Sequence, residues 1–311
     1  MHKNVWQSLP RPLVALAPMD GYTDSAFRRV CKTVNPTIVV FTEFTSVDGL
    51  YFAPERLKER LRFSPDEPPI IAQIFGNNEQ RLIEAAHRCE QLGFSGIDLN
   101  MGCPAKNIVK SEQGFALRRT PEKAFAMIEA LTRSVSIPIS VKTRLGEHDA
   151  SDLIDFGRGV ENAGCSLITV HGRTYDHPYA TTADFEPIYE LQRHLSIPVI
   201  GNGGITSLSD GKDKLKNLAG YMIGQAALGN PWVFAEEGAP LFPQRIPLIL
   251  QHIEWMEVSK GHDRALREIR KHLLCYVRGV KHAKDYRARL ARVTDIEEVS
   301  LLLNAVAQES I

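Results

Sequence analysis

Cys103 lies in the short sequence NMGCP, residues 100–104, between a glycine and a proline. Its thiol could act as a proton donor or, with a lowered pKa and a base beside it, as a nucleophile. It could equally be a small apolar side chain that packs beside a turn. The other four cysteines are scattered along the chain without a C-x-x-C pair. The sequence therefore indicates neither a disulfide framework nor a cysteine zinc site.

Polar or glycine residues also follow the other short apolar segments of the chain. A polar group after one strand is ordinary, but polar groups after every strand, all facing one opening, are hard to obtain by chance. The glycines after the last two segments allow backbone N–H groups to approach a phosphate, although two tight turns would also use them. We expect a phosphorylated ligand at the following candidates: Pro18, Met19, Asp20, Glu43, Gln73, Asn100, Lys142, Arg144, His171, Arg173, Asn202, Gly203, Gly204, Gly224 and Gln225.

The elements that must position these side chains are eight nearly continuous apolar segments: 12–19, 37–44, 69–76, 95–102, 137–144, 166–173, 197–204 and 220–225. Such segments are typical of a parallel sheet that is covered on both faces. Helical patterns lie between them; one begins at an Asn and ends at Gly93, and another begins with Thr120 and Pro121. We predict an α/β fold, a (β/α)8 TIM barrel with its site at the carboxyl ends of the strands. A doubly wound open sheet is disfavoured by the strand count and by the lack of G-x-G-x-x-G after the first strand.

The end of the chain has a different composition. After the Pro- and Gly-rich segment 236–247 the sequence predicts helices only, so we expect a barrel at 1–240 and a small C-terminal all-helical domain at 241–311. Residues 260–292 carry 11 Lys and Arg against three Asp and Glu, although the whole chain has no net charge. Between 264 and 281 a helical wheel separates an apolar stripe from a basic arc of Arg264, Arg267, Arg270, Lys271, Arg278 and Lys281. This arc is either a solvated face or a surface for a polyanion such as nucleic acid.

Composition limits the remaining classes of protein. The chain is 43% hydrophobic and 24% charged, which is ordinary for a globular protein. Its apolar segments fall short of the ~18 residues that a membrane helix needs, and its first residues do not resemble a secretory signal. We therefore expect a cytoplasmic protein that binds no membrane and no metal. We also expect it to act as a monomer.

Seven segments together resemble one known family, the tRNA-dihydrouridine synthases, which are flavin enzymes that reduce specific uridines in tRNA. The segments are ALAPMDGYTDSAFRRVC, IDLNMGCPAKNIVKSEQGFALRRTP, SVKTRLG, ITVHGRT, IPVIGNGGI, MIGQAALGNPWVF and REIRKHLLCYVRG. They run through nearly the whole chain, and the NMGCPA form is closest to a bacterial branch. Two positions depart from the family pattern: Gln225 stands where an arginine is usual, and Gly204 stands where an acidic residue is common.

The resemblance implies FMN as the cofactor, NADPH as the source of electrons and tRNA as the substrate. It implies contacts of Pro18, Met19 and Asp20 with the flavin ring and of Gln73 and Lys142 with its polar edge. His171 would also reach the flavin, and the flavin phosphate would lie at Asn202, Gly203, Gly204, Gly224 and Gln225. Hydride transfer to C6 of uracil leaves C5 in need of a proton, which makes Cys103 the catalytic proton donor rather than a nucleophile.

The resemblance also leaves tRNA-binding candidates. Asn100, Arg144 and Arg173 would hold the uracil or a nearby phosphate, and the basic helical surface would hold the tRNA backbone through Arg267, Arg270, Lys271 and Arg278. Two alternatives stay open. One is an FMN barrel that acts on free pyrimidines, for which a basic appendage has no use. The other is a non-catalytic RNA-binding module on an inactive barrel.

Overall fold

The computed structural model describes residues 4–177 and 182–309, and its centre is a closed parallel barrel. The strands are β1 (Leu13–Leu16), β2 (Val39–Phe41), β3 (Thr45–Ser46), β4 (Ile70–Phe75), β5 (Gly96–Asn100), β6 (Ile139–Arg144), β7 (Leu167–His171), β8 (Val199–Asn202) and β9 (Gly220–Ile223). Neighbours pair in the order β2-β1-β9-β8-β7-β6-β5-β4-β3, and a further pairing of β2 with β4 closes the ring. The predicted barrel is therefore confirmed, and all eight predicted segments form strands.

The strand β3 is an addition that the sequence did not predict. It has only two residues, and its Ser46 pairs with Phe75 at the end of β4. It therefore extends the carboxyl edge of the barrel and is not a ninth full strand of the barrel wall. The opposite end of the barrel is filled by Trp6, which is buried and stacks on Phe41 of β2 with 6.4 Å between ring centres.

Helices surround the barrel and continue beyond it. They are α1 (Val5–Ser8), α2 (Ser25–Val34), α3 (Val47–Phe52), α4 (Pro54–Leu57), α5 (Glu79–Gln91), α6 (Lys106–Lys110), α7 (Phe115–Arg118), α8 (Pro121–Ser134), α9 (Leu153–Asn162), α10 (Glu186–His194), α11 (Leu208–Asp213), α12 (Phe242–Lys260), α13 (His262–Tyr276), α14 (Ala283–Leu290) and α15 (Ile296–Glu309). Short 3₁₀ helices cover Lys58–Leu61, Gln225–Ala227 and Pro231–Phe234.

Helix ends follow the sequence signals in part. The Asn78 side chain accepts a hydrogen bond from the Arg81 backbone N–H and so caps α5, which is followed by Gly93 at a φ of 86°. Thr120 precedes Pro121 at the start of α8 as predicted, but its hydroxyl makes no capping bond. None of the helices in the described ranges 4–177 and 182–309 is long and apolar enough to cross a membrane.

Helices α12 to α15 share a second apolar core, which confirms a helical C-terminal region. The predicted helical wheel over 264–281 is wrong at its end, because α13 stops at Tyr276. The chain then turns through Gly279, whose φ is 77°, a conformation that ends a helix and favours glycine. Arg278 and Lys281 therefore lie in the turn before α14, not on a helix face.

The helical region docks on α2 of the barrel. Lys260 at the end of α12 forms ion pairs with Asp24, the cap of α2, and with Glu268 of α13. Gly229 meets the backbone of Cys275 so closely that a Cβ atom there would lie 2.2 Å from the Cys275 carbonyl carbon. The barrel and the helical region thus meet through direct backbone and ionic contacts.

Candidate active site

The carboxyl ends of β6, β7 and β8 meet at the amide of Asn202. Its oxygen Oδ1 accepts hydrogen bonds from Lys142 Nζ at 2.9 Å and from His171 Nδ1 at 3.0 Å. Its nitrogen Nδ2 donates to the Met222 carbonyl at 2.8 Å, and this bond fixes which way the amide points. Parallel pairing sets His171 directly beside Asn202, so the strand register brings these side chains together.

His171 is held in one neutral form. An amide oxygen only accepts hydrogen bonds, so His171 Nδ1 must carry the proton that it shares with Asn202. His171 Nε2 is then free to accept from Arg173 Nη1 at 3.2 Å. Burial, together with the nearby charges of Lys142 and Arg144, holds the pKa of His171 far below its usual range. His171 is therefore an uncharged hydrogen-bonding group at neutral pH.

Lys142 keeps its charge at neutral pH but gives up its proton more readily than a surface lysine. Burial and the neighbouring Arg144 lower the pKa of Lys142 to about 8, and the carboxylate of Asp98 opposes that shift. Together with Arg144 and Arg173, it makes this side of the opening cationic, which suits an anionic or electron-accepting ligand.

A buried carboxyl group lies beneath the opening. Asp98 accepts hydrogen bonds from Gln73 Nε2 and from Ser140 Oγ, both at 2.7 Å, and burial raises its pKa to about 6. Gln73 in turn accepts from Asn100 Nδ2 at 3.1 Å. The row from Asp98 through Gln73 to Asn100 orients both amides. The sequence analysis missed Asp98, although an acidic residue two positions before Asn100 in a buried strand, on the same face, was an available signal.

The loop that carries Cys103 is fixed from both sides. Asn100 Oδ1 accepts from the backbone N–H groups of Gly102 at 3.1 Å and Cys103 at 3.0 Å, and Arg144 Nε donates to the Gly102 carbonyl at 2.8 Å. Gly114 packs against Cys103; a Cβ at Gly114 would lie 3.1 Å from the Cys103 carbonyl oxygen. The thiol is half-buried, and burial raises its pKa. Cys103 therefore carries its proton at neutral pH.

Glycines line the opening beside these cations. Gly203 and Gly204 have φ values of 121° and 65°, which other residues rarely adopt. The nearest group to a Cβ at Gly204 is Arg173 Nη2, at 4.0 Å. A Cβ at Gly224 would lie 3.4 Å from the Ala17 Cβ and 3.8 Å from the sulfur of Met19, which follows β1. A short 3₁₀ helix that begins with the exposed Gln225 follows Gly224.

The rim near Asp20 is held by ionic contacts. Arg60 Nη1 lies 2.5 Å from Asp20 Oδ1, and Glu43 accepts from the Gly21 N–H at 2.5 Å. Burial raises the pKa of Glu43, while the charge of Arg60 opposes that shift. Pro18 and Met19, like Asp20, lie on this rim, half-buried or exposed. Arg60 comes from a 3₁₀ helix far along the chain, and no local sequence pattern marks it.

The four basic residues predicted to bind tRNA differ in their surroundings. Arg267 and Arg278 are exposed. Lys271 reaches the barrel rim, where its Nζ lies 5.3 Å from the ring centre of Tyr22. Arg270 points inwards and donates to the Val293 carbonyl at 2.6 Å, so it ties α13 to the segment before α15.

Comparison with known proteins identifies the chain. The family model described as dihydrouridine synthase matches residues 15–311. The chain belongs to the dihydrouridine synthase family. As a dihydrouridine synthase it is an oxidoreductase, in agreement with the resemblance of the seven sequence segments.

Similar proteins carry names of the same kind. The chain is 34% identical to "tRNA-dihydrouridine synthase B" of Xanthomonas campestris, over 90% of this chain and 88% of that protein. It is 32% identical to the protein of that name from Pseudomonas aeruginosa, over 93% and 91%. It is 33% identical to "Probable tRNA-dihydrouridine synthase" of Staphylococcus epidermidis, over 98% and 96%. This dihydrouridine synthase therefore matches its relatives across both the barrel and the helical region.

Proposed function

We propose that this chain reduces the C5–C6 double bond of specific uridines in tRNA to give dihydrouridine, with FMN as its cofactor and NADPH as its electron source. We propose that it does so as a monomer in the cytoplasm, where its substrate is made and used. The observation that carries the reaction is the position of the half-buried Cys103, whose loop is held by Asn100 and Arg144 at the opening of a cationic barrel. A non-catalytic module would need no such thiol beside a ligand-binding opening.

The residues of the mouth fit a flavin mononucleotide. A phosphate is suited by the backbone at Gly203 and Gly204, whose positive φ values favour glycine, and by the Arg173 guanidinium that faces Gly204. This arginine compensates for Gln225, which stands where the family usually has an arginine. Asn202 supports this phosphate site by orienting Lys142 and His171. The backbones of Gly224 and Gln225 complete the phosphate site.

The polar edge of the flavin ring is suited by two other groups. The Lys142 ammonium favours negative charge on the ring, and Gln73 retains one amide hydrogen beyond its bond to Asp98. Pro18, Met19 and Asp20 border the same space, and neutral His171 offers no charge that would compete with Lys142. When bound, FMN supplies the hydride that adds to C6 of the uracil.

Cys103 supplies the proton that C5 requires. Its thiol is protonated at neutral pH because burial raises its pKa, so no separate base or activation step is needed. After donation, the thiolate is stabilised by the positive charges of Arg144 and Lys142, both of which favour the charged sulfur. Asn100 holds the loop through two backbone bonds and so fixes the position of the donor.

In this proposal the helical region binds the backbone of the tRNA. We assign catalysis to residues 1–240 and tRNA binding to residues 241–311. Arg267 and Arg278 are free of the core and can meet phosphates, and Lys271 brings a cation to the edge of the mouth. Such a basic surface is of no use for a free pyrimidine, which favours tRNA over a small-molecule substrate. Arg270 contributes by holding α13 in place.

The test is mass analysis of tRNA from cells that lack this protein. We expect the loss of a two-dalton increment at one or more defined uridines and its return when the gene is restored. The purified protein should be yellow with a flavin spectrum, and NADPH should bleach that spectrum. Unchanged tRNA at every uridine would refute the substrate, and a colourless protein that cannot take up FMN would refute the cofactor.

A further inference from the structure

Two aromatic side chains project from the end of α3. Tyr51 is 55% exposed and Phe52 is 69% exposed, and they are the aromatic members of the exposed large hydrophobic residues in the described part of the chain. Their ring centres are 5.0 Å apart at an interplanar angle of 89°. The Arg81 guanidinium carbon lies 4.9 Å from the Tyr51 ring centre and 4.6 Å from that of Phe52. We call these three residues the aromatic patch.

The aromatic patch is held in place but contributes little to the core. Arg81 Nη1 donates to Asp48 Oδ1 at 2.8 Å, and Asp48 Oδ2 accepts from Gln113 Nε2 at 2.8 Å. Gln113 immediately precedes Gly114, the glycine that packs against Cys103. The guanidinium is thus fixed by bonds that also connect the patch to the loop of the proton donor. Ordered, exposed aromatic rings with no core to fill point to a ligand.

The position of the aromatic patch is the carboxyl rim of the barrel. Helix α3 follows β3 directly, and Ser46 of β3 pairs with Phe75, two residues beyond Gln73 of the candidate site. Helix α6 lies on the same rim, where Asn77 Nδ2 donates to the carbonyl of Ser111 after that helix at 2.9 Å. Its two lysines, 106 and 110, are exposed. Aromatic rings beside cations are the composition that binds unpaired bases and their phosphates.

The aromatic patch is also connected to the basic helical region. Arg264 of α13 forms an ion pair at 2.6 Å with Glu59, in the 3₁₀ helix that follows α4. Helix α4 begins two residues after Phe52 and packs on α3, with Leu57 filling the space beside Gly49. The exposed surface thus runs from α13, past the rim, to the aromatic patch. An RNA held by the helical region can reach the patch without leaving this surface.

We propose that the aromatic patch is a stacking platform for an unpaired base of the RNA substrate, next to the uridine that enters the barrel. The inference rests on the proposed function, and it adds a base contact to the phosphate contacts of the helical region. Stacking on Tyr51 and Phe52 compensates for the stacking that RNA loses when its target uridine leaves the loop. The Arg81 guanidinium adds a planar cation to the same platform.

The test compares binding of an unmodified tRNA transcript by the holoenzyme and two double variants across a salt series. The variant Tyr51→Leu/Phe52→Leu keeps apolar area but loses the rings, and we expect it to bind about tenfold more weakly. Because stacking releases no counterions, the slope of log Kd against log salt should stay as in the wild type. The variant Tyr51→Phe/Phe52→Tyr keeps both rings and should bind like the wild type. Leu92→Ala, which trims an exposed apolar side chain just after α5, is the matched control.

The outcomes separate this inference from the proposed function. Normal affinity of the double leucine variant would overturn the platform and leave a protein partner as the occupant of the aromatic patch. A changed salt slope would also overturn it, because the lost contact would then be ionic. If the wild type binds tRNA through the patch but forms no dihydrouridine, the proposed function fails and the platform stands. The melting temperatures of both variants should match the wild type, since both side chains are exposed.

Discussion

Two uncharged histidines are buried at the interface between the helical region and the barrel. We expect this interface to become less stable in acid. His252 of α12 and His272 of α13 are both fully buried, with 4.7 Å between ring centres, and both rings lie against Phe27 of α2. Burial lowers the pKa of His252 to about 4 and holds that of His272 well below its usual value. The other titratable or charged groups that face them are Asp24, Lys260, Lys271, Tyr22 and Tyr276.

The magnitude follows from the lowered pKa of His252. A histidine whose pKa is lower in the folded state binds a proton on unfolding, so its contribution to stability is complete above the unfolded pKa of 6.5 and is lost as the pH falls towards 4. A tenfold difference in proton affinity between the folded and unfolded states is worth about 1.4 kcal/mol. Between pH 7.5 and pH 4.5, His252 alone should therefore reduce the free energy of unfolding by about 2 to 3 kcal/mol.

Other groups titrate in the same range, so the measurement must be a difference between variants. The pKa of Asp98 is raised to about 6, which makes the fold more stable as the pH falls and opposes the histidines. Burial alone would raise the pKa of Asp24, but the Lys260 ammonium holds it far below its usual range, so Asp24 loses its contribution only below pH 4. Substitution of His252 alone keeps Asp98 and the ion pair between Asp24 and Lys260, so the difference between the variants reports on the histidine.

The assay is urea unfolding of wild type and His252→Gln at pH 7.5 and pH 4.5. Glutamine can keep the hydrogen bond that His252 Nδ1 shares with the Tyr276 hydroxyl at 3.1 Å. We expect the loss of stability between the two pH values to be smaller in His252→Gln by about 2 to 3 kcal/mol. His87→Gln, which changes an exposed histidine on α5, should behave like the wild type. Equal losses in wild type and His252→Gln would refute the reasoning.

Three further predictions concern the mouth and the basic surface. Cys103→Ala should bind FMN and tRNA normally but form dihydrouridine roughly 100-fold more slowly in a single-turnover assay; full activity would make Cys103 a packing residue only. Gly203→Ala places a Cβ 2.9 Å from a neighbouring side chain at a φ of 121° and should weaken FMN binding roughly tenfold by fluorescence titration. Gly238→Ala, also at positive φ but with open space around it, should keep its affinity for FMN. Equal affinity for FMN in both variants would contradict a phosphate site at Gly203. Replacement of three basic residues by glutamate should weaken tRNA binding and flatten its salt dependence; the residues are Arg267, Lys271 and Arg278. Unchanged binding would exclude this basic surface as the tRNA-binding site.

The sequence was sufficient to predict the barrel because eight short apolar segments alternate with helical patterns, the order that a closed parallel barrel requires. It also located the mouth, since the side chains that follow such strands must meet at one edge. Asp98 was missed because its role depends on Gln73 and Ser140, which only the strand register brings to it. Arg60 was missed because its partner Asp20 lies forty residues earlier in the chain.

The helical region shows a different limit of sequence analysis. A helical wheel places Arg270 with its basic neighbours, but it contains no information about what packs against that side of the helix. In the structure the segment before α15 closes over Arg270, and the side chain bonds to the Val293 carbonyl instead of facing solvent. Periodicity therefore predicted the helix and its apolar stripe, whereas tertiary packing decided which of the cations stay exposed.

Helix α2 packs on the barrel through Phe27 and on the helical region through Ala26. The ribosome makes α2 early and completes its barrel, yet the surface formed by Ala26 and Trp232 stays uncovered until α12 and the helices after it have emerged. A newly made barrel is therefore apolar on the side where the helical region will dock. Synthesis that stops before α12 should yield an aggregation-prone chain rather than a stable barrel without its helical region. The cell thus gains a barrel and the helical region that covers it together, or neither of them.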